Sequence, residues 1–164
     1  MDLLNSIFSE IKSHKILLVI LLSFLFSFKS YPQVYATKYN DLDFGDVFIG
    51  YPAEVNHIDA AAAKFRFYHF AFFRRNMQIT FSLPSTLNYQ GYSLPITFDA
   101  SHTAWSYNDN TRGRTNFDPH SPLYLNNVWL LTPVYVWLGG KLNSTAGVQP
   151  GVYQGTIIVT VEIF

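Results

Sequence analysis

Residues 150–164, PGVYQGTIIVTVEIF, carry the strongest structural signal in this sequence. Pro150-Gly151 predicts a turn, because proline presets φ and glycine accepts a positive φ. After the turn, successive side chains point to opposite faces of an extended chain. The run is rich in β-branched residues and has no internal proline, so we expect it to pair within a sheet as the closing strand. One face of this strand is almost entirely apolar: Tyr153, Gly155, Ile157, Val159, Val161 and Ile163.

The composition is that of a folded and strongly apolar chain. Of the 164 residues, 49% are hydrophobic and 18% are aromatic, which excludes a disordered protein and suffices for one core. The 11 basic and 11 acidic side chains balance, so the bulk charge predicts no nucleic-acid partner. There is no cysteine, which excludes disulfides, thiolate metal sites and thiol nucleophiles.

Residues 1–36 are predicted to be a signal peptide. Two lysines precede an apolar run at residues 16–28, which as a helix would rise only ~20 Å against the ~30 Å of a bilayer core. Val34-Tyr35-Ala36 fits a cleavage site, which predicts export to the periplasm, cell surface or extracellular space and one mature domain over residues 37–164. Two alternatives stay open: the uncleaved segment is retained as the only membrane contact, or Val34 and Ala36 belong to the first mature strand.

The rest of the chain has the two-residue period of β-strands. Residues 64–73 carry aromatic side chains on both faces, which predicts a central strand, and residues 77–83 are predicted to form a hairpin with it. Residues 42–49 are predicted to be a short strand with a glycine bend, and residues 128–138 two short strands divided by a proline. Residues 101–127 are predicted to be a long polar loop. The pattern predicts an all-β sandwich.

Three short motifs resemble those of a known family: LDFGDV at residues 42–47, ITFSLPS at 79–85 and QPGVYQGTIIVTV at 149–161. That family comprises secreted bacterial β-sandwich domains of unknown function (DUF4402-like), and is itself similar to spore coat protein U and to chaperone–usher pilin subunits. The resemblance implies an immunoglobulin-like, pilin-like antiparallel β-sandwich with a structural or filament-forming role at the cell surface. It also implies further copies of the chain or a periplasmic chaperone as partners, and no catalytic or cofactor-binding residues.

Assembly of such domains would proceed by strand exchange, in which a strand from a neighbour completes an incomplete sandwich. The alternating residues 31–39 are the candidate donor in this chain. A sandwich that is complete by itself stays open as the alternative.

No pattern in the sequence predicts an enzyme, a cofactor or a standard metal site. The five histidines lack the spacing of a zinc site, and there is no Gly-x-Ser-x-Gly nucleophile elbow. Residues 108–118 are rich in Asn and Asp, which indicates either calcium ligands or turns held by side-chain hydrogen bonds. Both interpretations stay open.

Aromatic side chains on secreted sandwiches can stack on sugar rings. Trp105 and Tyr107 lie in the polar stretch 101–127 and are the candidate ligand-stacking pair. Three other aromatic residues lie in apolar strands and are assigned to the core: Trp129, Tyr135 and Trp137. We therefore predict a secreted bacterial structural or adhesive protein, a fimbrial-like subunit assembling by strand exchange. The alternative is a monomeric extracellular glycan-binding module that uses residues 101–127.

Overall fold

The computed structural model describes residues 33–143 and 148–164, and every regular element in these residues is a β-strand. The predicted signal segment before Gln33 lies outside the described residues. All strand pairings are antiparallel, which confirms the all-β antiparallel prediction. The strands are β1 (Gln33–Asn40), β2 (Ala53–Val55), β3 (Ala63–Phe70), β4 (Arg75–Ser82), β5 (Thr86–Tyr89), β6 (Tyr92–Thr97), β7 (Thr103–Ser106), β8 (Thr115–Asn116), β9 (Leu123–Val128), β10 (Val134–Leu138), β11 (Gly140–Leu142) and β12 (Ile158–Ile163).

These strands form three sheets. A five-stranded sheet has the order β1-β3-β10-β7-β8, a three-stranded sheet the order β12-β4-β9, and a four-stranded sheet the order β2-β11-β6-β5. The five-stranded and three-stranded sheets share the main core, as the two layers of a β-sandwich do. The four-stranded sheet contributes a second, smaller apolar cluster.

The main core follows from strict alternation along neighbouring strands. In β3, Phe65 and Phe67 are buried, while the alternating residues Lys64 and Arg66 lie on the opposite face and are half-buried. In β4 the buried residues are Met77, Ile79 and Phe81. β3 lies between β1 and β10, which confirms the prediction that residues 64–73 supply a central strand.

The predicted hairpin of residues 64–73 and 77–83 is wrong. β3 belongs to the five-stranded sheet and β4 to the three-stranded sheet, so residues 71–74 cross from one layer to the other. The alternation of the two strands is the same in a hairpin and in a crossover, because both bury one face against the same core. The partner strands come from distant segments of the chain. β3 pairs with β1 and β10, and β4 pairs with β12 and β9.

The closing strand is present and pairs with β4 along its whole length, with Val161 opposite Ile79. Val159, Val161 and Ile163 are half-buried against the main core, and Tyr153 packs on the second cluster. The apolar face is therefore confirmed. The regular strand begins only at Ile158, because residues 148–157 run past a different sheet and bridge it once, at Asn88 and Gln154.

Two further segments differ from the sequence prediction. Residues 101–127 contain β7, β8 and the start of β9 rather than one long loop, since short polar strands are defined by their partners and not by hydrophobicity. β1 begins at Gln33, so residues 33–36, assigned above to the end of the signal peptide, form the first half of a strand paired with β3. This is the arrangement of the alternative in which Val34 and Ala36 belong to the domain.

Candidate functional site

A groove of about 1270 Å³ lies beside the second apolar cluster. Two segments without regular secondary structure line it, residues 41–51 after β1 and residues 148–157 before β12. Its lining includes four buried side chains from the four-stranded sheet and its flanks, which form an apolar floor: Leu94, Ile96, Phe98 and Leu142. The groove therefore has an apolar floor between two irregular stretches of chain.

The first wall, residues 41–51, is not the strand that its alternation predicted. The Asp43 side chain accepts a hydrogen bond from the Gly45 N–H at 2.8 Å, which makes a local turn, and Gly45 has a φ of 61°. The turn changes the phase of the alternation, so Val47 is half-buried and Phe48 is 75% exposed. The glycines of this segment predict a bend, and in the structure the turn at Gly45 leaves residues 41–51 without a regular strand.

The second wall, residues 148–157, is held by aromatic contacts. The Tyr153 hydroxyl donates a hydrogen bond to the Gln149 carbonyl at 2.9 Å, and the Tyr153 ring lies 5.7 Å from the Tyr89 ring. An added Cβ on Gly151 would lie 2.1 Å from the Tyr89 ring, so any larger residue would require that ring to move. Ile157 packs against both apolar clusters and joins this wall to the main core.

The backbone of both walls is only partly paired: the Asp43 and Tyr51 N–H groups and both backbone groups of Gln154 make hydrogen bonds. The backbone groups of Phe44, Val47, Val152 and Thr156 make no hydrogen bond to any other described residue. An added β-strand binds unpaired backbone beside an apolar surface, because the added strand supplies both hydrogen bonds and alternating apolar side chains. Chemically, the groove is suited to an extended peptide.

The rim of the groove next to β1 carries more acidic than basic groups. Asp41, Asp43 and Asp46 line it together with Lys38, whose ammonium pairs with the Asp41 carboxylate at 2.7 Å. The remaining carboxylates favour an occupant that carries a basic residue at this end.

A buried imidazole joins the four-stranded sheet to the turn after β6. His102 Nδ1 lies 2.8 Å from Asp99 Oδ1, and His102 Nε2 lies 3.1 Å from Glu54 Oε1. The Asp99 pKa is lowered to about 2, mainly because the Ser101 hydroxyl donates a hydrogen bond to its carboxylate and also because His102 does. The arrangement links β2 to the 99–102 turn, and the Ser101 hydroxyl also lies 3.0 Å from His102 Nδ1.

The oxygen-rich stretch forms turns and an ion pair. Asp118 accepts hydrogen bonds from the His120 N–H and the Ser121 hydroxyl, and Asp109 pairs with Lys64 at 2.6 Å. Residues 33–143 and 148–164 contain no group of three or more His, Asp or Glu side chains able to hold a metal ion. The turn interpretation of residues 108–118 therefore agrees with the contacts that these side chains make.

The burial of two tryptophan side chains differs from the sequence prediction. Trp105 lies in β7 opposite Val136, where it is half-buried against the main core, and its ring meets the Tyr107 ring edge-on at 5.2 Å. Tyr107 is 38% exposed. Trp129, assigned above to the core, is 56% exposed because β9 ends at Val128. Two features of the sequence favour a turn here: the pair Asn126-Asn127 before Val128, and Pro133.

The chain matches no protein-family model and no curated protein sequence. Its described residues also contain no helical segment with the length and hydrophobicity that a membrane crossing requires.

Proposed function

We propose that this chain is an exported bacterial surface protein whose immunoglobulin-like, pilin-like sandwich acts as a structural or adhesive subunit and assembles by strand exchange. The observation that carries the proposal is the groove, with its apolar floor and the unpaired backbone groups of Phe44, Val47, Val152 and Thr156 in its walls. An extended strand from a second copy would bind it by β-augmentation.

The position of the groove supports this assignment. The walls contain most of two of the three motifs that carry the family resemblance, those at residues 42–47 and 149–161. β1 and β12, the edge strands of the two main layers, also approach each other. The two walls adjoin these strands in the chain, residues 41–51 directly after β1 and residues 148–157 directly before β12.

The test is the oligomeric state of the purified chain from Gln33 onward, by size-exclusion chromatography with light scattering. The candidate donor segment already pairs with β3 of its own chain as β1, so strand exchange requires the groove to bind a second copy of that segment. We expect oligomers, or binding of an added peptide of residues 31–40. Val152→Arg should weaken either by about tenfold or more, because Val152 lines the groove and is 72% exposed, so the change places a charge in the binding surface without removing core contacts.

Ile58→Arg is the matched control, since Ile58 is an exposed apolar residue that does not line the groove. A monomer that ignores the peptide, or equal losses in both variants, would remove the support for strand exchange.

The alternative function, glycan binding by residues 101–127, is supported by the exposed Tyr107 ring beside Trp105. Tyr107→Ala should then abolish retention on a polysaccharide resin with little change in stability. Trp105→Ala should lower the free energy of unfolding by about 2–4 kcal/mol, because it removes a core contact. Unchanged retention of Tyr107→Ala would contradict glycan binding at this pair.

A further inference from the structure

One end of the sandwich, away from the groove, exposes a group of large apolar side chains. They belong to the end of β3, to the crossover of residues 71–74, and to the connection of residues 129–133 between β9 and β10. We call this group the aromatic tip: Phe70, Phe72, Phe73, Trp129 and Leu131. Phe72 is 83% exposed and Phe73 is 73% exposed, so the described core does not account for either.

The two connections that form the aromatic tip are held together by hydrogen bonds. The Leu131 N–H donates to the His69 carbonyl at 3.0 Å, and His69 Nε2, fully buried, donates to the Val128 carbonyl at 3.0 Å. The Asn127 N–H donates to the Asn76 side chain at 3.1 Å. The aromatic tip is therefore a built surface and not two independent loops.

Leu131 shows that the exposure of the aromatic tip has an energetic cost. Its φ is 58°, a left-handed conformation that costs a residue with a Cβ about 1–2 kcal/mol. The same residue leaves its side chain 52% exposed to water. The Leu131 backbone holds the two connections together through its hydrogen bond to His69, and the exposed side chain adds to an apolar surface of the kind that marks an interaction site.

The charge around the aromatic tip is positive. The Arg74 guanidinium lies 4.1 Å from the centre of the Trp129 ring, and among the described residues no carboxylate pairs with it. Residues 69–76 and 127–133 contain Arg74 and Arg75 but no acidic residue. The acidic residue of the neighbouring strand, Glu162, lies opposite Gln78, further along β4.

We propose that the aromatic tip inserts into the interfacial layer of an anionic phospholipid membrane. Phenylalanine and tryptophan side chains partition into the boundary between headgroups and acyl chains, and arginines beside them bind lipid phosphates. Each basic side chain near an anionic membrane surface adds roughly 1 kcal/mol, or about fivefold in binding. This contact is additional to the proposed strand exchange, because the groove involves the opposite end of β3, at Ala63 and Phe65.

Chain connectivity favours a membrane over a protein as the partner of the aromatic tip. Gln33 pairs with Phe70, and only residues 29–32 separate Gln33 from the apolar run of residues 16–28. Four residues span at most ~14 Å when extended. Whenever the apolar run is held in a bilayer, during export or afterwards, the aromatic tip is within reach of the same surface.

The experiment uses tryptophan fluorescence of the full chain, with vesicles of mixed zwitterionic and anionic phospholipids that carry bromine on their acyl chains. Trp137 is 3% exposed and Trp105 packs on the core, so Trp129 is the tryptophan that can reach a bilayer. We expect its emission to move to shorter wavelength and to be quenched by the bromine. Trp129→Phe should remove the shift and the quenching.

The double variant Phe72→Ser, Phe73→Ser should reduce the quenching at least tenfold while Trp129 remains in place. Ile58→Ser changes an apolar residue that is 57% exposed in the connection before β3, and it should leave the quenching unchanged. Arg74→Gln should lower the preference for anionic over zwitterionic vesicles about fivefold.

Emission of the vesicle-bound chain that equals its emission in buffer would overturn the proposal. So would quenching that survives in the double variant. If the double variant instead lost self-association in lipid-free buffer, the aromatic tip would be a protein interface.

Discussion

Removal of residues 157–164 is expected to abolish cooperative folding of the domain. The deletion removes β12, leaves one side of β4 from Met77 to Ser82 without its partner and uncovers the main core. The half-buried Val159, Val161 and Ile163 account for about 3 kcal/mol by apolar burial alone, against the roughly 5–15 kcal/mol that stabilises a typical domain. Thermal unfolding followed by near-ultraviolet circular dichroism, together with the soluble fraction after expression, measures the effect.

Two controls separate this loss from a general effect of truncation. Val161→Ser changes the core-facing side of β12 and should cost about 1–2 kcal/mol, whereas Ile158→Ser changes its exposed side and should cost less than about 0.5 kcal/mol. An added peptide of residues 157–164 should restore a cooperative transition to the truncated chain. A truncated chain that stays soluble, monomeric and cooperatively folded would show that β12 is not the closing strand.

Gly139→Ala is the single substitution with the largest expected effect. A Cβ at this position would lie 2.0 Å from the carbonyl oxygen of Val55 and 2.9 Å from that of His102, both backbone atoms that cannot rotate away. Gly139 lies where the chain leaves β10 for β11 and passes between the five-stranded and four-stranded sheets, and its N–H donates to the His102 carbonyl at 2.9 Å. The added methyl group must separate these strands, so we expect a loss of about 3 kcal/mol or more.

Gly113→Ala is the comparison that isolates the steric contribution. Gly113 has a φ of 76° but nothing within 4 Å of an added Cβ, so the substitution should cost only the roughly 1–2 kcal/mol of the left-handed backbone. Denaturant titration of the two variants gives both free energies of unfolding. If Gly139→Ala were no more costly than Gly113→Ala, the close approach of the Val55 carbonyl would not exist in solution.

The candidate groove illustrates how far sequence reasoning reaches. The sequence predicts a bend at the glycines near residue 45, in the first wall, and a turn at Pro150-Gly151, in the second wall. That the walls face one another was not predictable, because residues 41–51 and 148–157 are about a hundred positions apart and their proximity depends on how the sheets pack. The unpaired backbone of the walls likewise appears only when every strand has been given its partners.

The aromatic tip was missed for a related reason. The run from Val128 to Leu138 is apolar throughout, and apolarity alone assigned Trp129 to a buried strand. In the folded chain β9 stops at Val128 and β10 begins at Val134, and the connection between them leaves Trp129 and Leu131 exposed. Hydrophobicity measures what a side chain prefers, whereas exposure depends on whether a neighbouring element is there to cover it.

The sequence by itself determined the all-β class, the inward faces of β4 and β12 and the need to pair the closing strand. These follow from local rules, since a two-residue period orients side chains without reference to the rest of the chain. Only the tertiary structure decided that β3 and β4 lie in different layers, that residues 101–127 contain strands and that Trp105 is covered while Trp129 is exposed. Each of these depends on strand partners from distant parts of the chain, and the period of one strand contains no information about which partner it meets.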